Sequence, residues 1–379
     1  MVSALLISAI SWNLLTWYFG IPCSSSHTLI GSILGVGIAY SLLPESIGTA
    51  VNWSKASDIG MSLLLSPLFG FSVTIILMYL LRVMTKRKSY GDDLFKEPKK
   101  NAPPPPWIRG ILLLTCTGVS FFHGQNDGQK GVGLVMLILI GIVPGYFALN
   151  AAYDPAKLGE PVHRLEMMIG TIDPAPLSEP DRKALQEAGA LTLQIQQAVG
   201  NISSINQLPK SDRFEVRKDI LVLDRSLNSL IKKEESRVSS KDAKIIKDDL
   251  KALRKVTDYS PGWVIVIISA SLGLGTMIGW KRIVKTIGEK IGKEHLSYAQ
   301  GASAELVAAG TIGMSSYFGL PVSTTHVLSS GIAGSMVASK GVKNLQPETV
   351  RNILLAWFLT LPIVMTLSGT LFLLFRSIF

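Results

Sequence analysis

Two segments 299 residues apart carry the same run of polar side chains. Tyr18-Phe19-Gly20-Ile21-Pro22-Cys23-Ser24-Ser25-Ser26-His27-Thr28-Leu29 aligns with Tyr317-Phe318-Gly319-Leu320-Pro321-Val322-Ser323-Thr324-Thr325-His326-Val327-Leu328, and Gly35 falls on Gly334. In each copy a Gly-x-Pro break is followed at once by three hydroxyls: Ser24, Ser25 and Ser26, then Ser323, Thr324 and Thr325. If a helix starts there, the hydroxyls occupy its N-cap and first turn. Unpaired backbone N–H groups and the positive end of the helix dipole then converge on one place, an arrangement suited to a small dehydrated oxyanion. The simpler reading is that the hydroxyls only cap the helix; their duplication in apolar surroundings favours the ligand reading. His27 and His326 follow the hydroxyls, either as proton carriers or as packed hydrogen-bonding residues.

A third polar element is His123-Gly124-Gln125-Asn126-Asp127-Gly128-Gln129-Lys130-Gly131. Asp127 and Lys130 are the only charges between residues 110 and 153. An ionisable pair inside an apolar stretch is costly and usually functional. Asp127 could accept a proton or ligate a cation, and Lys130 could pair with it; the alternative is an ion pair that only steadies the helix. Glu305, at the edge of an uncharged run, is a further proton site or an interface residue. Cys23 and Cys116 both lie in apolar runs and are expected to be ordinary buried thiols, with neither a disulfide nor a metal cluster indicated. No activated nucleophile stands out, so a membrane enzyme is disfavoured, and no cofactor is implied.

The elements that must position these residues are apolar. No Asp, Glu, Lys or Arg occurs in 1–44, 59–81, 131–153, 260–280, 306–339 or 352–375. Each run is close to the ~20 residues that cross a hydrocarbon core as helix. The pattern predicts an all-α, multi-pass membrane protein, since irregular backbone facing lipid is not tolerated. The repeat points to an inverted-repeat secondary transporter with broken helices or re-entrant hairpins and its site at the repeat interface. Met1 opens directly into the apolar run Val2 to Ile10, without the basic start or cleavage site of a signal peptide.

The chain divides into 1–84, the remainder of a first transmembrane repeat; 85–107, a basic Pro-rich cytoplasmic linker; 108–153, a second-repeat broken helix; 154–259, a soluble helical insertion; and 260–379, the remainder of the second repeat. Gly124, Gly128, Gly131 and Gly133 are expected to mark the break in 110–153, and Pro103 to Pro106 to be extended polyproline. Ile220, Leu223, Leu227 and Leu230 follow helical spacing among alternating charges. Residues 151–259 hold 18 basic and 17 acidic side chains, so the net charge of +10 arises elsewhere, mostly in short segments. Its sign is a topology signal and not a nucleic-acid footprint. The basic loops 82–109 and 281–293 are placed in the cytoplasm by the positive-inside rule, which puts 154–259 on the opposite side.

At these three elements the chain resembles the inorganic phosphate transporter (Pit) family, especially bacterial low-affinity phosphate permeases. The family pattern has two Asn-Asp signatures in Gly-rich helices and two Pro-x-Ser-[Ser/Thr]-[Ser/Thr]-His-type segments. Here Asn126-Asp127 stands for the second signature, while Pro22 to His27 and Pro321 to His326 stand for the hydroxyl segments. The resemblance also covers Asn126-Asp127-Gly128-Gln129-Lys130-Gly131-Val132-Gly133 and Thr276-Met277-Ile278-Gly279-Trp280, and is weakest over 154–259.

The resemblance implies symport of inorganic phosphate, free or as a divalent metal-phosphate complex, across the cytoplasmic membrane, and often a homodimer in the bilayer. Substrate contacts carried over by position are Ser24, Ser25, Ser26, Ser323, Thr324, Thr325 and Asn126. Coupling residues are Asp127, Lys130, Glu305, His27 and His326. In sodium-coupled relatives an Asn commonly stands three residues after the signature Asp, where Lys130 stands here. An ammonium group offers a cation no acceptor, so protons are the expected coupling ion rather than Na⁺. The family's first Asn-Asp signature precedes the first hydroxyl segment by several spans, and none of the 23 residues before Ser24 is an Asp. A complete transporter is therefore expected to need further N-terminal spans, encoded upstream or supplied by a partner. The alternative is a truncated, non-transporting membrane remnant or regulatory subunit.

Overall fold

The computed structural model describes residues 1–44, 46, 51–86, 93–98, 103–233, 236, 238–320 and 322–378. Pro321 of the second hydroxyl segment and residues 87–92 and 99–102 of the basic linker fall outside these residues. Among the described residues the chain is all-α, with one isolated antiparallel bridge between Gly292 and Leu345. In chain order its helices are α1 (Val2–Tyr18), α2 (Ser25–Ser41), α3 (Trp53–Thr85), α4 (Pro106–Ile142), α5 (Ala156–Thr171), α6 (Glu179–Val199), α7 (Asp212–Leu230), α8 (Ser240–Thr257), α9 (Gly262–Glu289), α10 (Tyr298–Tyr317), α11 (Thr324–Lys340) and α12 (Pro347–Ile378). Helices α3, α9 and α12 contain stretches long and apolar enough to cross a membrane. The chain forms two compact units: Met1–Gly131 with Ile267–Phe379, and Val132–Val266.

The first unit is built from the repeat. In each copy two helices form a hairpin, α1 with α2 and α10 with α11. Each first helix ends identically. Gly20 N–H donates to Trp17 O at 3.0 Å and Ile21 N–H to Thr16 O at 2.9 Å; Gly319 N–H donates to Ser316 O at 3.3 Å and Leu320 N–H to Ser315 O at 2.8 Å. This paired closure requires a left-handed residue after the helix. Both Gly20 and Gly319 have φ 67°, which a side chain would strain. The second helices then start on Ser24 and Ser323.

The two copies exchange their third helices. Helix α11 packs against α3, and α2 packs against α12. Glycines at the repeat offset make these crossings close. A Cβ on Gly35 would lie 2.1 Å from Met365 O of α12, and one on Gly334 would lie 2.4 Å from Phe71 O of α3. The facing helices contribute Gly369 and Gly70; a Cβ on Gly70 would meet Val327 O at 2.7 Å. Lipid tails are as apolar as leucine, so association inside a bilayer relies on such close backbone approach.

Helix α9 binds the tip of the first hairpin. Trp17 Nε1 donates to Gly279 O at 2.9 Å, Arg282 Nη1 to Tyr18 O at 2.6 Å and Thr286 Oγ1 to Gly20 O at 2.8 Å. Among the described residues the second tip has no counterpart to these bonds. Residues 281–289, expected to form part of a basic loop, therefore continue α9. Lys and Arg are good helix formers, and Arg282 also lies over the rings of Trp17 and Tyr18.

The expected break at Gly124 to Gly133 is absent. Helix α4 runs unbroken for 37 residues, about 55 Å at 1.5 Å per residue. It stops at Val143-Pro144 instead, followed by the single turn Pro144–Phe147. Glycine weakens a helix but keeps its N–H, whereas proline removes one. Pro106 opens α4, so the polyproline stretch is irregular only over 103–105. Cys116 is exposed rather than buried, on the same helix as exposed Leu113 and Leu114.

In the second unit α5 to α8 bury their apolar stripes in one core. Ile220, Leu223, Leu227 and Leu230 of α7 join Leu165 of α5, Ile195 of α6 and Leu250 and Leu253 of α8. Buried Asp249 accepts two bonds from Arg164, from Nη2 at 2.6 Å and Nε at 3.1 Å. Arg217 Nη1 donates to Ala148 O at 3.0 Å and Thr257 O at 2.6 Å, tying the unit's two chain ends together.

Gly35→Ala and Gly334→Ala are each expected to destabilise the protein by about 1–3 kcal/mol through overpacking. A methyl at Gly124 meets nothing within 4 Å, so Gly124→Ala should be neutral or stabilise by about 0.5–1 kcal/mol. Thermal melts of the purified protein compare them; an unchanged Gly35→Ala midpoint would show that the crossing has slack.

Candidate substrate site

Both hydroxyl segments cap their helices with the first of the three hydroxyls. Ser24 Oγ accepts from His27 N–H at 3.2 Å, and Ser323 Oγ accepts from His326 N–H at 3.1 Å. The capping residues share an extended conformation, φ −90° and ψ 115° against φ −88° and ψ 105°. Such a cap satisfies one orphan donor and leaves the first-turn N–H groups of Ser25, Ser26, Thr324 and Thr325 without an intrahelical acceptor. The hydroxyls of Ser25, Thr324 and Thr325 make no hydrogen bond among the described residues, and Ser25 is exposed.

The two tips meet. Ser26 Oγ lies 3.3 Å from Val322 O. Between them stands Lys130 of α4, whose ammonium donates to Ser26 Oγ at 2.6 Å, Asp127 Oδ1 at 2.9 Å and Val322 O at 3.2 Å. A lysine has three donors, and here each reaches a different element: the first hairpin, α4 and the second hairpin. The other oxygen of Asp127, Oδ2, lies 3.0 Å from His123 Nε2, one turn earlier. The side chains of Lys130 and Asp127 are mostly buried. Behind the tips His27 and His326 stand against each other with ring centroids 4.5 Å apart.

Two expected site residues lie off this centre. Asn126 is 4% exposed and donates through Nδ2 to Ser316 Oγ at 3.2 Å, while its Oδ1 has no partner among the described residues. Glu305 accepts from Thr115 Oγ1 at 2.6 Å. It sits eleven residues before Ser316 on α10, about 16 Å along the axis, so it is not part of the tip cluster. Sequence reasoning missed Ser316, Thr115 and the Val322 carbonyl, because single hydroxyls and carbonyls carry no spacing signal. It also missed Trp357, which stacks on His326 at 4.0 Å.

The model of the phosphate transporter family matches residues 1–368. The chain belongs to this family. It is similar to the low-affinity inorganic phosphate transporter PitB of Escherichia coli strain K12, at 39% identity over 98% of this chain and 80% of that protein. PitA of the same strain is equally similar, at 39% identity with the same coverage of both chains. A solved structure described as the sodium-dependent phosphate transporter aligns with all of this chain and 80% of its own, at 16% identity and a TM-score of 0.49. The family match spans both hydroxyl segments and the Asn126-Asp127 signature. In this family member the repeated helix starts and the ionisable pair of α4 therefore form one cluster.

Breaking the Lys130–Asp127 pair should be costly, since a charge left alone in a low-dielectric site typically loses about 3–5 kcal/mol. Lys130→Met is expected to lower the melting temperature strongly. Adding Asp127→Asn should recover much of the loss, because it removes the stranded charge. A double variant no more stable than Lys130→Met would show that the pair is not coupled.

Proposed function

We propose that this chain takes part in secondary transport of inorganic phosphate across the cytoplasmic membrane, coupled to protons and independent of sodium. The observation that carries this reading is the convergence of both capped tips on the Lys130 ammonium. A phosphate arriving there meets a positive charge, free hydroxyls on both hairpins and unpaired first-turn N–H groups. Ser25, Thr324 and Thr325 are read as direct contacts. Ser24 and Ser323 hold the helix starts in shape, and Ser26 hands its bond from Lys130 to the substrate. Asn126 supports the site from Ser316 and offers an amide oxygen that is unpaired among the described residues.

Lys130 also supports the sodium-independent reading. Its ammonium occupies the space beside Asp127 and already uses that carboxylate and the Val322 carbonyl, the kinds of oxygen a bound cation would need. With a fixed charge in that place, coupling falls to a group that gains and loses a proton: Asp127, Glu305 or the histidine pair. Loosening Lys130 from Ser26 and Val322 O would let the two hairpins separate, which links substrate binding to a change of access.

Ser25→Ala and Thr324→Ala should each weaken phosphate binding by about 1–3 kcal/mol, the usual loss when a buried polar partner goes unpaired. Phosphate uptake into proteoliposomes under a pH gradient, without sodium and with or without Mg²⁺, tests the coupling. Uptake that needs sodium and ignores the pH gradient would overturn it. Gain of sodium dependence in Lys130→Asn would support it.

The orientation drawn from the basic segments places residue 229 outside the cell. In a chain with Cys23 and Cys116 replaced by Ser, a cysteine at exposed Ser229 should react with an impermeant reagent in intact cells. Reaction only after lysis reverses the topology.

A further inference from the structure

A proton that drives phosphate transport must ride on a group that touches the site and exchanges with its surroundings. Asp127 touches the site, but its charge is held by the Lys130 ammonium at 2.9 Å. His27 and His326 are 5% and 2% exposed, and among the described residues their rings make no hydrogen bond to Asp127 or Lys130. Glu305 stands about 16 Å along α10 from Ser316. His123 of α4 meets both conditions. Its Nε2 lies 3.0 Å from Asp127 Oδ2, and its side chain is 49% exposed, against 16% for Asp127. A carboxylate only accepts, so Nε2 bears the hydrogen of this bond and Nδ1 keeps its lone pair for a second proton. No hydrogen bond occupies Nδ1 among the described residues. Asp127 therefore spends one oxygen on a fixed charge, Lys130, and the other on a charge that comes and goes.

The charged and titratable groups around this bond are few. On α4 they are Cys116, two turns earlier, and Lys130 beyond Asp127. On α10, which packs here through Gly313 against Phe122, they are Glu305, bonded to Thr115, and Tyr317 at the helix end. Helix α9 sets Ile268 against Gly131 and Leu272 against Gly128. That register brings Met277 level with His123 and places Lys281 and Arg282 about one turn further. Arg282 is turned to the Tyr18 carbonyl. The hairpins contribute His27 and His326.

We infer that His123 is a proton-dependent positioning residue of this site, acting through Asp127 on Lys130. Imidazole gains and loses its proton between about pH 5 and 8. With His123 neutral, the Asp127 carboxylate cancels the Lys130 ammonium and the three side chains carry no net charge. Protonation at Nδ1 makes an imidazolium and raises their net charge by one. Two cations then share one carboxylate. The bond from His123 becomes charge-assisted and stronger, and the hold of Lys130 on Asp127 weakens. The ammonium turns that donor to a phosphate oxygen beside Ser26. The proton is taken up where phosphate binds and given back where phosphate leaves, so the two travel together. Linkage makes the effect mutual, since phosphate holds the proton by the same factor as the proton holds phosphate. The inference rests on the proposed reading of the hairpin tips as a proton-coupled phosphate site.

The test uses the full chain in lipid nanodiscs and radiolabelled inorganic phosphate, from about pH 5 to about pH 8. Phosphate's own titration is common to every variant and cancels when affinities are compared at one pH. His123→Gln keeps a donor for Asp127 and carries no charge. The wild-type chain should bind about tenfold more tightly than His123→Gln at the acid end and equally at the alkaline end. His123→Lys, with a permanent charge, should match the wild type at the acid end and bind about tenfold more tightly at the alkaline end. A hydrogen bond that only steadies α4 would leave wild type and His123→Gln parallel throughout. Melting temperatures report that each variant is folded. In the wild-type chain with 15N-labelled histidine, phosphate should move one imidazole signal toward the imidazolium position, a signal that His123→Gln lacks. Saturable phosphate binding with parallel profiles, or with no imidazole signal moved, overturns the role of His123 and leaves the phosphate site standing. No phosphate binding by the wild-type chain at any pH overturns the proposed function, and this inference with it.

Discussion

One ammonium group ties this fold together at its centre. Lys130 spends its three protons on Ser26 of one hairpin, the Val322 carbonyl of the other and Asp127 on its own helix. Ser26 Oγ and Asp127 Oδ1 have no other donor among the described residues, so the charge and the polar tips stabilise one another. The continuity of α4 matters for the same reason. The i, i+3 spacing of Asp127 and Lys130 puts both on one face only while the helix runs through the glycines. A helix broken there would separate them and leave two unpaired charges.

The tips can reach Lys130 because the repeat units interlock. Glycines at the crossing of α2 with α12 and of α11 with α3 let backbones approach where a methyl would collide with a carbonyl. That exchange brings the starts of α2 and α11 together, so His27 and His326 touch and Ser26 meets Val322 O. The site is thus an outcome of glycine packing some distance away along the same helices. The same interlock leaves a mostly apolar cavity between α3 and α12 beside the histidines, with Ser329 and Ser330 also in its lining.

Local chemistry was legible in the sequence. The glycine after Phe19 and after Phe318, and the hydroxyl at Ser24 and Ser323, act over five or six residues. Their preferences for a left-handed turn and an N-cap are nearly independent of what surrounds them. The apolar stripe of α7 was visible for a similar reason, since burial of one helix face sets a period of 3.6. The uncharged runs announced the membrane because burying a lone charge in hydrocarbon is prohibitive. The pairing of Asp127 with Lys130 was legible because they are the only charges in an apolar stretch.

The tertiary structure decided the rest. Glycines in α4 looked like a break, but a glycine's cost of about 1 kcal/mol is small beside that of unpaired backbone in an apolar region, so the helix continued to Pro144. The basic run after Gly279 looked like a loop, yet Arg282 and Thr286 found the carbonyls of Tyr18 and Gly20 more than 260 residues away. Nothing in the order of residues says that α3 and α12 change places, that Asn126 seeks Ser316, or that Lys130 stands between the tips. The sequence by itself determined which short segments could hold an anion, because those preferences are local. Which side chains share the centre was settled only when the two repeats closed on each other, because every one of those contacts depends on how near two distant backbones can come.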